Sequence, residues 1–145
     1  MKKFKFPLQS VLKVRSLHKK VAERELAVTL SRVNHNRDLL ERNEEEYAET
    51  FRMLHQPSGN PAFWSDLSLR YQESLRLKKV QLEEERTKLA EKLEGEKKTL
   101  TRKMRDEMVI EKLRDHQKAE HKVLAEAEIQ REIEEIDILK RGNPQ

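Results

Sequence analysis

No cysteine occurs anywhere in the 145 residues. That excludes disulfides and thiolate metal sites, and it fits a reducing compartment. Aromatic residues make up only 5% of the chain, and there are just three glycines and four prolines. Long apolar runs are missing as well. No stretch approaches the roughly 20 apolar residues of a membrane span. A secretory signal needs a continuous apolar segment after its basic start, and here Lys5, Pro7, Gln9 and Lys13 interrupt it. A mitochondrial-type presequence is disfavoured too, because the helical pattern continues past residue 20 with no processing-like boundary. Catalytic signatures are absent: there is no glycine-rich phosphate loop, no HExxH and no Cys/His cluster. His116 and His121 are five apart, do not share a helical face well, and read as surface histidines. The many carboxylates read as a solvated charged face with no pocket to shift their pKa values. The expectation is a protein without enzymatic activity, metal, cofactor or small-molecule substrate.

What the chain does have is charge, at 40% of residues, with glutamate, lysine, arginine, leucine and alanine dominating. A globular domain averages about 25% charge. So charged and leucine-rich a sequence with few breakers points to long helices. Disorder is the competing reading of high charge. A net charge of only +4 and apolar residues that recur in order both weigh against it.

The breakers cluster. "QPSGNP" (56–61) separates two long breaker-free runs, and "GNPQ" ends the chain. Two prolines and a glycine in six residues mark a turn. Pro7 suits the first turn of a helix, and Gly95 costs about 1 kcal/mol without ending one. The first run repeats every seven residues: Leu12, Lys19, Leu26, Val33, Leu40, Tyr47, Leu54, with only Lys19 breaking the apolar series. Leu30 and Phe51 are read as intermediate seam positions, while Asn36 and Asn43 fall where a second apolar seam residue could sit. A buried seam asparagine sets register at a cost in stability. The second run gives Leu75, Leu82, Leu89, then Leu93, Leu100 and Met104. Leu100, Met104 and Met108 step by four twice, which reads as a stutter that locally unwinds a supercoil.

The fold expected is therefore all-α: a single long antiparallel two-helix coiled-coil hairpin with a C-terminal helical overhang. Helix 1 covers about 8–55, the turn 56–61, and helix 2 about 62–141. A symmetric turn places residue i near 118 − i, so that Phe4 reaches about Arg114. At about 1.5 Å per residue, the hairpin is about 75 Å long and the overhang about 40 Å. That overhang carries Leu124, Ile129, Ile133, Ile136 and Leu139 among six acids within residues 126–137. An unpaired apolar stripe of this kind should seek a partner.

The opening stretch carries a second stripe, Val14, Leu17, Val21 and Val28. Relative to Leu12 these lie at about 140° to 200° around a helix turning 100° per residue, facing away from the seam. A surface helix usually has a polar back face. A third helix or self-association is one explanation, and insertion into a partner that surrounds this end is the sharper one. Charge bears on the choice. Residues 1–20 carry seven Lys or Arg and no acid, and residues 97–118 carry eight Lys or Arg against four acids. Like charge meeting like is resolved by an acidic or phosphate-bearing partner; a merely solvated basic face is the plain alternative.

Five of the seven aromatics crowd around the turn: Tyr47, Phe51, Phe63, Trp64 and Tyr71. Tyr47 and Phe51 fit the first seam. Trp64 and Tyr71, seven apart, extend the second. Phe63 and Leu69 fit neither and should be exposed. The group is either an aromatic plug closing the hairpin or a second binding site.

"FKFPLQSVLKVR" followed by "VAERELA" resembles the start of the FliJ family of flagellar type III export proteins. The matching residues are Phe4, Phe6, Leu8, Leu12, Arg15, Ala22, Glu25, Leu26 and Ala27. "QREIEEIDILKR" resembles the family's closing stretch through Glu132, Ile136 and Asp137. "SLHKK" after Arg15 departs from the acids common there. The resemblance implies a non-enzymatic coiled-coil stalk like that of the F-type ATPase gamma subunit. It implies a cytoplasmic protein at the periphery of the inner-membrane export apparatus, serving flagellum biogenesis and motility. Its implied partners are a hexameric export ATPase, whose ring assembly it promotes, the cytoplasmic domain of an export-gate membrane protein, and export chaperones. The candidate ring-binding residues are Phe4, Phe6, Leu8, Val14, Arg15, Leu17, Val21, Ile129, Ile133, Ile136 and Asp137; the candidate gate-binding residues at the hairpin tip are Phe63, Trp64 and Leu69. Two readings compete: a basic coiled coil that binds nucleic acid, and a membrane-surface adaptor using its basic amphipathic end. Nucleic acid is not the expected partner, because beyond Phe6 the basic segments lack interleaved glycine or aromatics.

Overall fold

A computed structural model describes residues 2–54 and 61–142. Among the described residues there are two long helices in contact and no strand: α1, Gln9–Leu54, and α2, Pro61–Arg141. Most of the expected turn, 56–60, lies outside the described residues, and Pro61 opens α2. A proline at the first helical position loses no hydrogen bond, since that N–H has no helical partner anyway. Pro7 and Leu8 form the turn ahead of α1, where Gln9 N donates to Phe6 O at 3.2 Å and Leu12 N to Leu8 O at 3.0 Å. Gly95 lies inside α2 without interrupting it. The C-terminal end of α2 closes with Gly142 N donating to Ile138 O at 2.8 Å.

The chain divides into two compact units, one of Met1–Lys20 with Thr101–Gln145 and one of Val21–Leu100. In the second, Leu75, Leu82 and Leu89 are buried. On α1 they meet a half-buried column of Leu26, Val33, Leu40 and Tyr47, and a fully buried polar column that begins with Ala22 and continues as Thr29, Asn36, Asn43 and Thr50. Each polar member is answered across the seam. Thr29 Oγ1 donates to Glu96 Oε1 at 2.8 Å. Asn36 Nδ2 donates to Leu82 O at 3.0 Å, and Asn43 Nδ2 to Leu75 O at 3.1 Å. Gln72 Nε2 donates to Thr50 Oγ1 at 2.9 Å. A step of seven from Asn36 to Asn43 is matched by a step of seven back from Leu82 to Leu75. These bonds offset the desolvation of each amide and hydroxyl, so the column costs little and admits few alternative alignments.

Several seam assignments made from the sequence are corrected here. Leu30 and Phe51 are exposed, and Thr29 and Thr50 beside them hold the seam positions instead. Trp64 and Tyr71 are exposed, whereas Ser68 and Gln72 face the seam more closely. The stutter does not occur. Met104 and Met108 are exposed, and the α2 seam runs Leu93, Glu96, Leu100, Lys103, Glu107, Ile110 in regular steps of three and four. Methionine reads as core by hydropathy, but here Glu96 and Glu107 take seam positions, and bonds from Thr29 and Lys19 of α1 compensate part of their burial.

Alignment follows the symmetric expectation where Asn36 meets Leu82 and Asn43 meets Leu75, and departs from it towards the two ends of α1. The partner of Thr50 is Gln72, one helical turn beyond the residue 68 that a symmetric turn implies. In the other unit the Phe4 ring lies against His121, at 5.6 Å between centroids, not against Arg114. Residues 2–6 are not helical, and an extended residue advances about 3.3 Å against about 1.5 Å in a helix. Phe4 therefore reaches further along α2 than a helix would carry it.

Candidate functional site

Three surfaces stand out once the seam is accounted for. The first lies around the start of α1. Val14, Leu17, Val21 and Val28 are exposed, as a stripe opposite Leu12 requires. Phe4, Phe6 and Leu8 are half-buried. Val11 and Val14 line a hollow of about 280 Å³ together with Arg15, His18, Lys103 and Asp106.

Behind that stripe the charges are organised more locally than their totals imply. Arg15 Nη1 donates to Asp106 O at 2.8 Å, so part of its donor set is committed within the chain. Lys19 Nζ lies 3.1 Å from Glu107 Oε1, and Glu107 is buried at 8% exposure. The one basic residue in the first heptad series is thus met by the one buried acid of the facing helix. The expected clash of like charge is corrected accordingly: net counts over a stretch ignore which residues the register brings into contact. Glu107 Oε2 and Glu96 Oε2 are buried without a hydrogen-bond partner among the described residues, so each carboxylate depends heavily on its other oxygen.

This dependence sets an expected result. Lys19→Ala should lower stability by about 2–3 kcal/mol, just below the range for breaking a buried pair, because the Lys19 side chain is 26% exposed. Lys19→Met combined with Glu107→Leu should recover stability to within about 1 kcal/mol of the parent, since an apolar pair removes both desolvation costs. Urea denaturation of the three proteins checks both; a double variant no better than the single would show that the pair is not the source of the loss.

The second surface is the C-terminal part of α2. Ile129, Ile133 and Ile136 are exposed, as are Ile138 and Leu139. Asp137 pairs with Arg141 at 3.2 Å. The third surface lies near the α1–α2 link, where Phe63, Trp64, Leu67 and Leu69 are all exposed. The Phe63 and Trp64 rings meet edge to face at 5.7 Å between centroids. Tyr47 and Phe51 pack likewise at 5.2 Å. The Tyr71 hydroxyl donates to Glu46 Oε2 at 3.0 Å, and that bond holds its pKa above the ordinary tyrosine value.

Of the residues singled out from sequence, Phe4, Phe6, Leu8, Val14, Arg15, Leu17, Ile129, Ile133, Ile136 and Asp137 belong to one unit. Val21, Phe63, Trp64 and Leu69 belong to the other. Sequence reading missed a groove in which Lys2, Lys3 and Phe4 meet Lys118, His121 and Lys122. No periodicity signals it, because residues 2–6 are not helical. Among the described residues no group of three or more His, Cys, Asp or Glu could hold a metal ion, and no helix is long and apolar enough to cross a membrane.

A family model described as the flagellar FliJ protein matches residues 4–140. No curated protein and no solved structure matches the chain.

Proposed function

The chain belongs to the FliJ family of flagellar proteins, and from that premise we propose that it is the non-enzymatic stalk of a flagellar type III export machine. In this reading the two helices form an antiparallel coiled-coil hairpin. Its terminal end enters the bore of a hexameric export ATPase in the cytoplasm, at the periphery of the inner membrane. Phe4, Phe6, Leu8, Val14, Arg15, Leu17, Val21, Ile129, Ile133, Ile136 and Asp137 meet the ring. Phe63, Trp64 and Leu69 meet the cytoplasmic domain of the export gate, and export chaperones bind the assembled stalk.

The observation that supports this most is the exposure of Val14, Leu17 and Val21 on a helix whose seam is already filled by Leu12, Ala22 and Leu26. An exposed apolar stripe of several residues on a basic helix gains free energy when a partner covers it. A ring surrounding this end would cover the back face and the C-terminal stripe together. The test is co-purification with the flagellar export ATPase of the same cell, followed by ATP hydrolysis with and without the chain. Retention on the hexamer with raised hydrolysis is expected; failure to bind or stimulate it would overturn the reading.

The tip carries a separate expectation. Phe63→Ala with Leu69→Ala removes two exposed apolar side chains and should leave the melting temperature and ATPase stimulation unchanged. Swimming motility should fall severely, because aromatic anchors carry much of an interface's binding energy. Normal motility would remove the tip from the functional surface.

A further inference from the structure

The groove at the start of the chain has a charge and shape that the chain itself complements elsewhere. Lys2, Lys3, Lys118 and Lys122 line it, with Asp115 as the single acid, and the Phe4 ring forms an apolar wall. It is open and holds about 620 Å³. His121 anchors the arm, with its Nε2 3.1 Å from Lys2 O and its ring against Phe4. Residues 126–139 have the opposite character: six acids, one base, and the exposed Ile129, Ile133 and Ile136 at helical spacing. An acidic amphipathic helix is the kind of ligand that a basic groove with an apolar wall takes.

The two cannot meet within one molecule. The groove is built on the stretch of α2 immediately before residue 126, and α2 continues unbroken to Arg141. Nothing after Gly95 in that helix is a glycine or proline that would let it turn back. The acidic stripe therefore points onward from its own groove and is available only to another molecule.

We infer that the chain forms a two-fold dimer in which the acidic helix 126–139 of each copy lies in the basic groove of the other. Each copy supplies one groove and one helix, so the contact is reciprocal and closes at two subunits. The surfaces overlap those proposed for the ring, so the dimer would hold the chain off the ATPase. That consequence rests on the ring reading; the association itself involves this chain alone.

The mass of the full chain in solution tests the inference, measured by sedimentation equilibrium against concentration and salt. Twice 17.3 kDa is expected at low salt. Dissociation should strengthen at least about tenfold between about 50 mM and about 500 mM sodium chloride, because exposed charge pairs are screened. Lys118→Glu with Lys122→Glu should be monomeric, and so should Glu132→Lys with Glu135→Lys. All four positions are exposed, so circular dichroism should show unchanged helix content. Mixing the two variants should restore a dimer, because each then offers the charge the other lacks in both contacts. A wild-type monomer at every concentration and salt would overturn the inference. So would a dimer indifferent to salt and to both reversals, or a mixture that stays monomeric.

Discussion

Leu82→Asp is expected to abolish the cooperative thermal transition of the chain, or to lower its stability by about 4 kcal/mol or more. Leu82 is 7% exposed, and its carbonyl already receives Asn36 Nδ2 at 3.0 Å. The substitution removes a leucine from the seam and places a carboxylate beside a polar column whose bonds are already assigned. A typical small domain has only about 5–15 kcal/mol in hand, so one such change is a large fraction of it. Leu77→Asp, five residues earlier on the same helix, is the control. Leu77 is exposed, and its replacement should stay within about 0.5 kcal/mol of the parent. Circular dichroism melts of the two proteins decide the matter. Equal losses would mean that the seam does not run where Leu75, Leu82 and Leu89 place it.

Val14→Asp combined with Val21→Asp should do the opposite, leaving the fold and removing the function proposed for it. Both residues are exposed, so neither carboxylate is forced out of water. Helix content and melting temperature should stay close to the parent's. Affinity for the ATPase ring should fall about thirtyfold, the loss of a hot-spot contact worth about 2 kcal/mol. Stimulation of ATP hydrolysis should fall with it. A folded variant that still stimulates the ATPase would show that this stripe does not touch the ring. A variant that unfolds would show instead that the back face of α1 belongs to the core.

The heptad series through Leu12, Leu26, Val33 and Leu40 was legible because it repeats apolar residues at a fixed interval. Asn36 and Asn43 were legible as seam polars for the same reason. Thr29 and Thr50 share their interval but are not legible as seam residues, since each stands beside a more apolar residue, Leu30 or Phe51, that reads as the seam position instead. What buries them is a partner: Glu96 for one, Gln72 for the other. Met104 and Met108 erred in the other direction. Their hydropathy suggested core, but the helical phase maintained from Leu93 through Ile110 leaves them facing solvent. The exposed stripes, Val14 and Leu17 at one end and Ile129, Ile133 and Ile136 at the other, were readable as apolar residues off the seam. The basic groove was not, because it forms where a non-helical arm crosses a helix more than a hundred residues later in sequence.

By itself the sequence determined that there would be two long helices and roughly where each would end. Helix formation depends on neighbours within four residues and on where proline and glycine fall, and both are written locally. Tertiary structure alone decided which side chains pair across the seam. It set Thr50 against Gln72, placed buried Glu107 under Lys19, and laid Phe4 on His121. Each of these joins residues far apart in the chain. Their free energy depends on burial and partner geometry that no local pattern carries.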